Sequence, residues 1–104
     1  MDINFFKETR ILDGGMGQEL LARGMKPNGT LWSANAILNS EYHELVERTH
    51  KDFVKAGAEV IVTTTFTTRR KRLRENGIEH KFKYLNQKAC EIAQKAKSLS
   101  LIHI

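Results

Sequence analysis

Only two runs in this chain have the character of a β-strand, and each ends abruptly in a turn. Arg10-Ile11-Leu12 stops at Asp13-Gly14-Gly15, and Val60-Ile61-Val62 runs on into Thr63-Thr64-Thr65-Phe66. β-branched residues between glycine-rich punctuation mark strands. The second run is apolar without alternation, the pattern of a parallel strand buried on both faces. Between and after them lie segments with helical spacing. Alternation of this kind implies βα units and a parallel sheet. Two parallel strands do not make a stable domain, because such sheets need several strands and cover on both faces. Nor is a chain of 104 residues rich in core, since it buries about 65% of its unfolded surface. The expectation is therefore the first part of something larger, the other solution being strands borrowed from a partner.

The helical segments are legible. Gly17 to Arg23 holds good helix formers and Gly24 stops them. A loop with the only proline follows from Met25 to Leu31, then Trp32-Ser33 and a short apolar stretch, Ala34 to Leu38. Ser40 is positioned as an N-cap, with Glu41 and Glu44 near the positive end of the helix dipole. Leu45, Thr49, Phe53 and Ala56 form one stripe at spacings of four, four and three, and Gly57 ends the segment. Arg69 to Glu75 predicts a short helix ending at Asn76-Gly77. Phe82, Leu85, Ala89, Ile92 and Ala96 predict a longer one to about Lys97.

Charge and cysteine content narrow the function. The chain has 17 Lys and Arg against 12 Asp and Glu. Arg69, Arg70, Lys71, Arg72 and Arg74 supply the whole excess of five from six positions. A basic module that binds nucleic acid through this cluster is one reading, and it predicts binding that weakens steeply with salt. No aromatic residues interleave the cluster, so a solvated outer helix is the better account and no nucleic-acid partner is expected. One cysteine excludes an internal disulfide framework and a multi-cysteine zinc site in these residues. Cys90 reads as a small buried apolar residue. His43 and His50, seven apart, lack a third ligand and read as surface histidines. His80 is isolated. No apolar run is long enough for a membrane span, and MDINFFKETR lacks the basic start and apolar stretch of a leader. The expected compartment is the cytoplasm, with no membrane partner.

Three segments in register resemble the homocysteine S-methyltransferase family. ILDGGMGQEL, Ile11 to Leu20, is similar to the family's opening strand and DGGMGTEL turn. LWSANAIL, Leu31 to Leu38, matches its tryptophan, small hydroxyl residue and short helix. AGAEVIVTTTF, Ala56 to Phe66, resembles its AGADVITTNTY strand, and RRKRLRENG its RRLxExG continuation. Gln18 stands where the family usually has Thr, and Thr64 where it commonly has Asn.

The resemblance implies an α/β fold, namely the N-terminal βα units of a (β/α)8 barrel that is incomplete in this chain. Residues 1–98 would be that portion. A (β/α)8 barrel needs about 250 residues. The implied activity is transfer of a methyl group from a sulfonium, betaine-like or folate donor to the thiol of homocysteine, giving methionine. It implies a zinc ion held by three cysteine thiolates, with its fourth position open to the substrate thiol. Those cysteines belong to later strands, so no catalytic and no metal-binding residue is expected in this chain, and the chain alone is expected to be inactive.

The implied substrate-binding residues lie at the C-terminal ends of the two strands, where barrels build their sites. Asp13 is suited to accept hydrogen bonds from the substrate ammonium. The amides of Gly14 and Gly15 are open to its carboxylate. Thr63 lies by the bound amino acid, with Thr64 beside it. Trp32, with Ser33, lines the side where the donor enters, and an aromatic face attracts a cationic donor. Met16 is expected to pack near the substrate without a chemical role. Residues 99–104, LSLIHI, match one reading frame of a common sequencing-library adaptor, which implies an artefactual tail and a gene that runs on. A different class of reading is a non-catalytic interaction protein that completes its sheet with a partner.

Overall fold

The structure is a computed structural model that describes residues 3–102. His103 and the last residue of the tail hexapeptide lie outside the described residues. After a 3-10 turn at Ile3–Lys7, five α-helices follow: α1 Met16–Ala22, α2 Ala34–Leu38, α3 His43–Lys55, α4 Arg70–Glu75 and α5 Phe82–Ile102. α1, α2, α4 and the body of α5 fall where apolar spacing and glycine stops place them. α5 runs past the expected end near Lys97 and carries the helix into the hexapeptide.

The two expected strands are present only as extended segments. They meet in the expected parallel sense at a single bridge, Leu12 to Val60. Glu59 and Val60 donate to the Ile11 carbonyl at 2.8 and 3.2 Å, and Asp13 donates to the Val60 carbonyl at 3.1 Å. No longer ladder forms among the described residues, so the fold is mainly helical. The burial on both faces expected of the second run is also missing, since Val60 and Ile61 are only half-buried, and the first run is no better covered. Ile11 is 57% exposed, Leu12 59% and Val62 56%. Helices cover one side of the pair, and among the described residues nothing covers the other.

The core lies on the helical side. Leu20, Ile37, Val46, Leu73, Leu85 and Ala89 are fully buried. Each leucine or isoleucine so buried contributes about 1.5–3 kcal/mol. The main helix pairing is α3 against α5. The α5 stripe is the expected one: Leu85, Ala89, Ile92 and Ala96 are all buried, and its alanines let neighbouring helices approach.

α3 departs from its expected reading at three points. Ser40 does not cap it. Ser40–Tyr42 is a 3-10 turn, α3 begins at His43, and no side chain caps either element. The buried stripe is Val46, Thr49 and His50, while Leu45 is only half-buried and Ala56 is exposed at the end. The helix is thus rotated by about one residue from the predicted register, which buries His50 completely. His50 was expected at the surface, and the correction comes from that rotation. His43 is half-buried, its Nε2 2.7 Å from the Ile37 carbonyl. Cys90, expected inside, is exposed. It follows Ala89 by 100° around α5, enough to turn it off the buried stripe.

Two glycines shape the path into the site. Gly57 ends α3 at φ +119°, a conformation nearly confined to glycine. Gly14 lies against α3 so closely that a Cβ there would sit 3.0 Å from Phe53 Cε1.

Candidate functional site

The two extended segments end side by side, and Asp13 ties them together. Its Oδ2 accepts a hydrogen bond from the Val62 amide at 3.1 Å. Just beyond lies an open cleft of about 460 Å³. Asp13, Gly14, Gly15, Trp32, Ser33, Thr63 and Thr64, the seven residues singled out from the sequence, all line it. They come from three stretches of chain far apart in sequence, and the fold brings them to one place. Met16 lines it too, half-buried beside the turn.

Hydroxyl groups fix the far wall. The Ala34 amide, at the start of α2, donates to Thr67 Oγ1 at 3.0 Å, and Ser33 Oγ lies 3.5 Å from the same atom. Thr67 thereby does the work of an N-cap from another segment, satisfying one of the donors that a helix start leaves unpaired. Thr68 Oγ1 donates to Asn86 Oδ1 at 2.7 Å, and Asn86 Nδ2 returns a bond to the Thr68 carbonyl at 3.1 Å. The loop after Val62 is thus clamped to α2 on one side and α5 on the other. Thr63 and Thr65 pair their hydroxyls at 3.0 Å.

Trp32 is held in an unusual way. It is the only non-glycine residue with positive φ among those described, at +53°. A bulky residue there carries strain, and such strain gathers at ligand sites. Trp32 is 55% exposed while its neighbours Leu31 and Ser33 are buried. The backbone therefore presents a large aromatic face at the cleft rim.

Besides Gly17, Gln18 and Val62, which also line the cleft, four residues at the site escaped the sequence reading. Phe66 and Thr67 lie just beyond the Thr63–Thr64 pair, and both line the cleft. Arg72 lines it as well, although its charge-rich neighbourhood reads as outer helix. The fourth is His50, directly behind the cleft. Its Nε2 is 3.5 Å from Thr64 Oγ1, the outer limit of a hydrogen bond, and its Nδ1 is buried without a hydrogen-bond partner. Burial pushes the His50 pKa below its ordinary 6.5, and the nearby Asp13 carboxylate opposes that shift. The signal for His50 was present in the sequence, since Val46-Thr49-His50 is as helical a spacing as the stripe chosen.

The basic cluster does not form one continuous cationic face. Arg69 lies over the Phe66 ring at 5.2 Å and Arg70 over Phe82 at 4.3 Å. Arg74 pairs with Glu79. These contacts attach α4 to its surroundings.

Zinc does not fit the described residues. Among the described residues no three His, Cys, Asp or Glu side chains gather as a metal site, Cys90 faces outward, and His50 is shut behind Thr64.

The family model for homocysteine S-methyltransferase matches residues 10–101. The chain belongs to that family. It is 34% identical over 92 residues to homocysteine S-methyltransferase 2 of Zea mays, covering 88% of this chain and 26% of that protein. It is 35% identical over 96 residues to the homocysteine S-methyltransferase of Escherichia coli K12, covering 91% and 30%. The crystal structure of the homocysteine methyltransferase MmuM from Escherichia coli in its oxidized form superposes with a TM-score of 0.82 at 31% identity, over 97% of this chain and 34% of that one. A metallated form of MmuM superposes with a TM-score of 0.80. The chain spans about a quarter to a third of the length of these relatives. Among the described residues no helix is long and apolar enough to cross a membrane.

Proposed function

We propose that this homocysteine S-methyltransferase family chain supplies the amino-acid end of a site that moves a methyl group from a sulfonium, betaine-like or folate donor to the thiol of homocysteine, giving methionine. The observation that carries the reading is the convergence of Asp13, the Gly14–Gly15 turn, Thr63–Thr64 and Trp32 on one cleft. Asp13 takes the substrate ammonium, since one carboxylate oxygen is bound to Val62 and the other is left for a ligand. The exposed Gly14 and Gly15 backbone has no side chain to keep a carboxylate away. Thr63 and Thr64 border the same substrate, and Trp32 with Ser33 faces the donor.

The chemistry suits such a cleft. With a sulfonium donor, the homocysteine thiol first gives up its proton, and the new bond forms between the resulting thiolate sulfur and the methyl carbon. The old carbon–sulfur bond breaks, and its electron pair leaves with the departing sulfide. An anion and a cation become two neutral molecules, so charge falls along the reaction. The apolar side chains of Trp32, Val62, Met16 and Phe66 along the cleft suit a reaction that loses charge, and in this reading the rest of the family domain closes the cleft to water. The zinc implied by the family resemblance, and its cysteines, belong in this reading to the part of the family domain that these residues do not cover. The same part would lie over Ile11, Leu12 and Val62 and continue the sheet as a (β/α)8 barrel. The compartment in this reading is the cytoplasm.

Homocysteine titrated into the chain tests the site, with Trp32, the sole tryptophan, as fluorescent reporter. The expected result is saturable binding that Asp13→Asn weakens by roughly tenfold or more, the worth of a charge-assisted hydrogen bond. Equal binding by both chains would overturn the assignment of Asp13. The chain supplied with zinc, homocysteine and a methylated sulfonium is expected to form no methionine, and methionine formation would show the site to be complete.

A further inference from the structure

The cleft has two ionised walls. Asp13 is the acidic one and Arg72 the basic one, and the other lining residues are uncharged. The proposed function uses Asp13 and leaves Arg72 without a role. Most of its neighbours in the cluster are engaged elsewhere: Arg69 and Arg70 stack on phenylalanine rings and Arg74 pairs with Glu79. Arg72 differs. Its Nη1 donates to the Thr30 carbonyl at 3.3 Å, and among the described residues no carboxylate lies within ion-pair distance of it. A guanidinium has five N–H donors in a planar fork matched to carboxylates, so most of that capacity is unused.

Its position is braced. Asn76 Nδ2 donates both to Thr30 Oγ1 and to the Arg72 carbonyl, each at 2.9 Å. Those two hydrogen bonds from one amide lock the end of α4 to the loop carrying Thr30. Two residues further along the same loop comes Trp32, held in its left-handed conformation at the rim. The aromatic face and the guanidinium are thus fixed to one short piece of backbone, while Asp13 is fixed to the other wall through Val62.

From this we propose that Arg72 is a carboxylate-binding residue of the donor side of the cleft. The ligand class is a zwitterion, with a sulfonium or quaternary ammonium against Trp32 and a carboxylate on Arg72. A donor with the cation alone is disfavoured. The proposal rests on the methyl-donor reading of Trp32 and adds to it the residue that would hold the donor's carboxylate.

Glycine betaine and choline separate these ideas, because they share a quaternary ammonium and differ in carboxylate against hydroxyl. Each is titrated into the full 104-residue chain while ¹H–¹⁵N spectra follow the Trp32 indole and the Arg72 Nε–H. The chain is expected to bind betaine roughly tenfold more tightly than choline, as one charge-assisted contact gives, with the Arg72 signal moving for betaine alone. Arg72→Gln is expected to equalise the two ligands. Arg72→Lys, which keeps the charge and the helix but not the fork, is expected to keep part of the preference. Equal binding of betaine and choline to the unaltered chain, or a preference unchanged in both variants, would overturn the role of Arg72 and leave the cation site standing. If neither ligand moves the Trp32 signal, the donor reading falls and this proposal with it.

Discussion

Replacing His50 by leucine gives a sharp test of how the buried imidazole behaves. His50 is fully buried, with one ring nitrogen at the limit of hydrogen-bond distance and the other unpaired. Burial holds it neutral, so the folded chain takes up the proton at lower pH than the unfolded chain does. Below the ordinary value of 6.5, the unfolded state therefore binds more protons than the folded one, and stability declines as pH falls. The His50 contribution is intact above that value and is lost progressively as pH drops from it toward the folded pKa. For one proton the slope reaches at most about 1.4 kcal/mol per pH unit. Leucine removes the titration and also the unpaired Nδ1, which costs about 1–3 kcal/mol while it stays buried. Urea unfolding followed by helix signal from pH 7.5 to 5.0 measures both effects. The unaltered chain should lose stability across the acid half of that range faster than His50→Leu, the difference in slope isolating His50 from every other titrating group. Asp13→Asn should steepen the loss, because it removes the carboxylate that supports the imidazolium. Parallel pH profiles for the unaltered chain and His50→Leu would refute the reasoning.

Other substitutions probe the frame around the cleft. Thr67→Val keeps the shape but removes the acceptor for the Ala34 amide, and should cost about 1–3 kcal/mol in urea unfolding, the worth of a buried donor left unpaired. Gly57→Ala forces a side chain into φ +119°, and a loss of about 1 kcal/mol or more is expected by the same method. Leu73→Ala empties a fully buried position on α4 and should cost about 2–5 kcal/mol, read as a drop in the thermal midpoint. Cys90, exposed on α5, should react at once with a thiol reagent in the folded chain, and a thiol seen only after denaturation would contradict its placement.

Much of this was legible in the sequence for identifiable reasons. Glycine stops and 3.6-residue spacing place helices by local chemistry, so α1, α4 and the α5 stripe stand where the pattern puts them. The seven cleft residues were found because each belongs to a motif in register with a family pattern. Helix rotation was harder. Leu45-Thr49-Phe53 and Val46-Thr49-His50 are equally periodic, and the choice is made by what α5 and the Gly14 turn press against, which local sequence does not contain. The strands illustrate the same limit. Val60-Ile61-Val62 has the composition of a buried strand, but burial depends on neighbours supplied from elsewhere. Arg72 was hidden by its company, since one useful guanidinium among five basic residues has no signature of its own.

The lone bridge between Leu12 and Val60 has a bearing on the order in which the chain assembles. It joins residues 48 apart, 60 minus 12, and closing a loop of that length costs about 3 kcal/mol in chain entropy. The three backbone bonds around it bring about 1 kcal/mol each, which roughly balances that cost and leaves little over. The helices must therefore dock first and carry the two segments together, and the bridge closes on a frame already built. Asp13 and Val62, whose pairing shapes the cleft, are joined by the same late event. The binding end of the molecule is thus the last part to form and the first to open, and a ligand that grips both walls would act as the missing strand of the clasp.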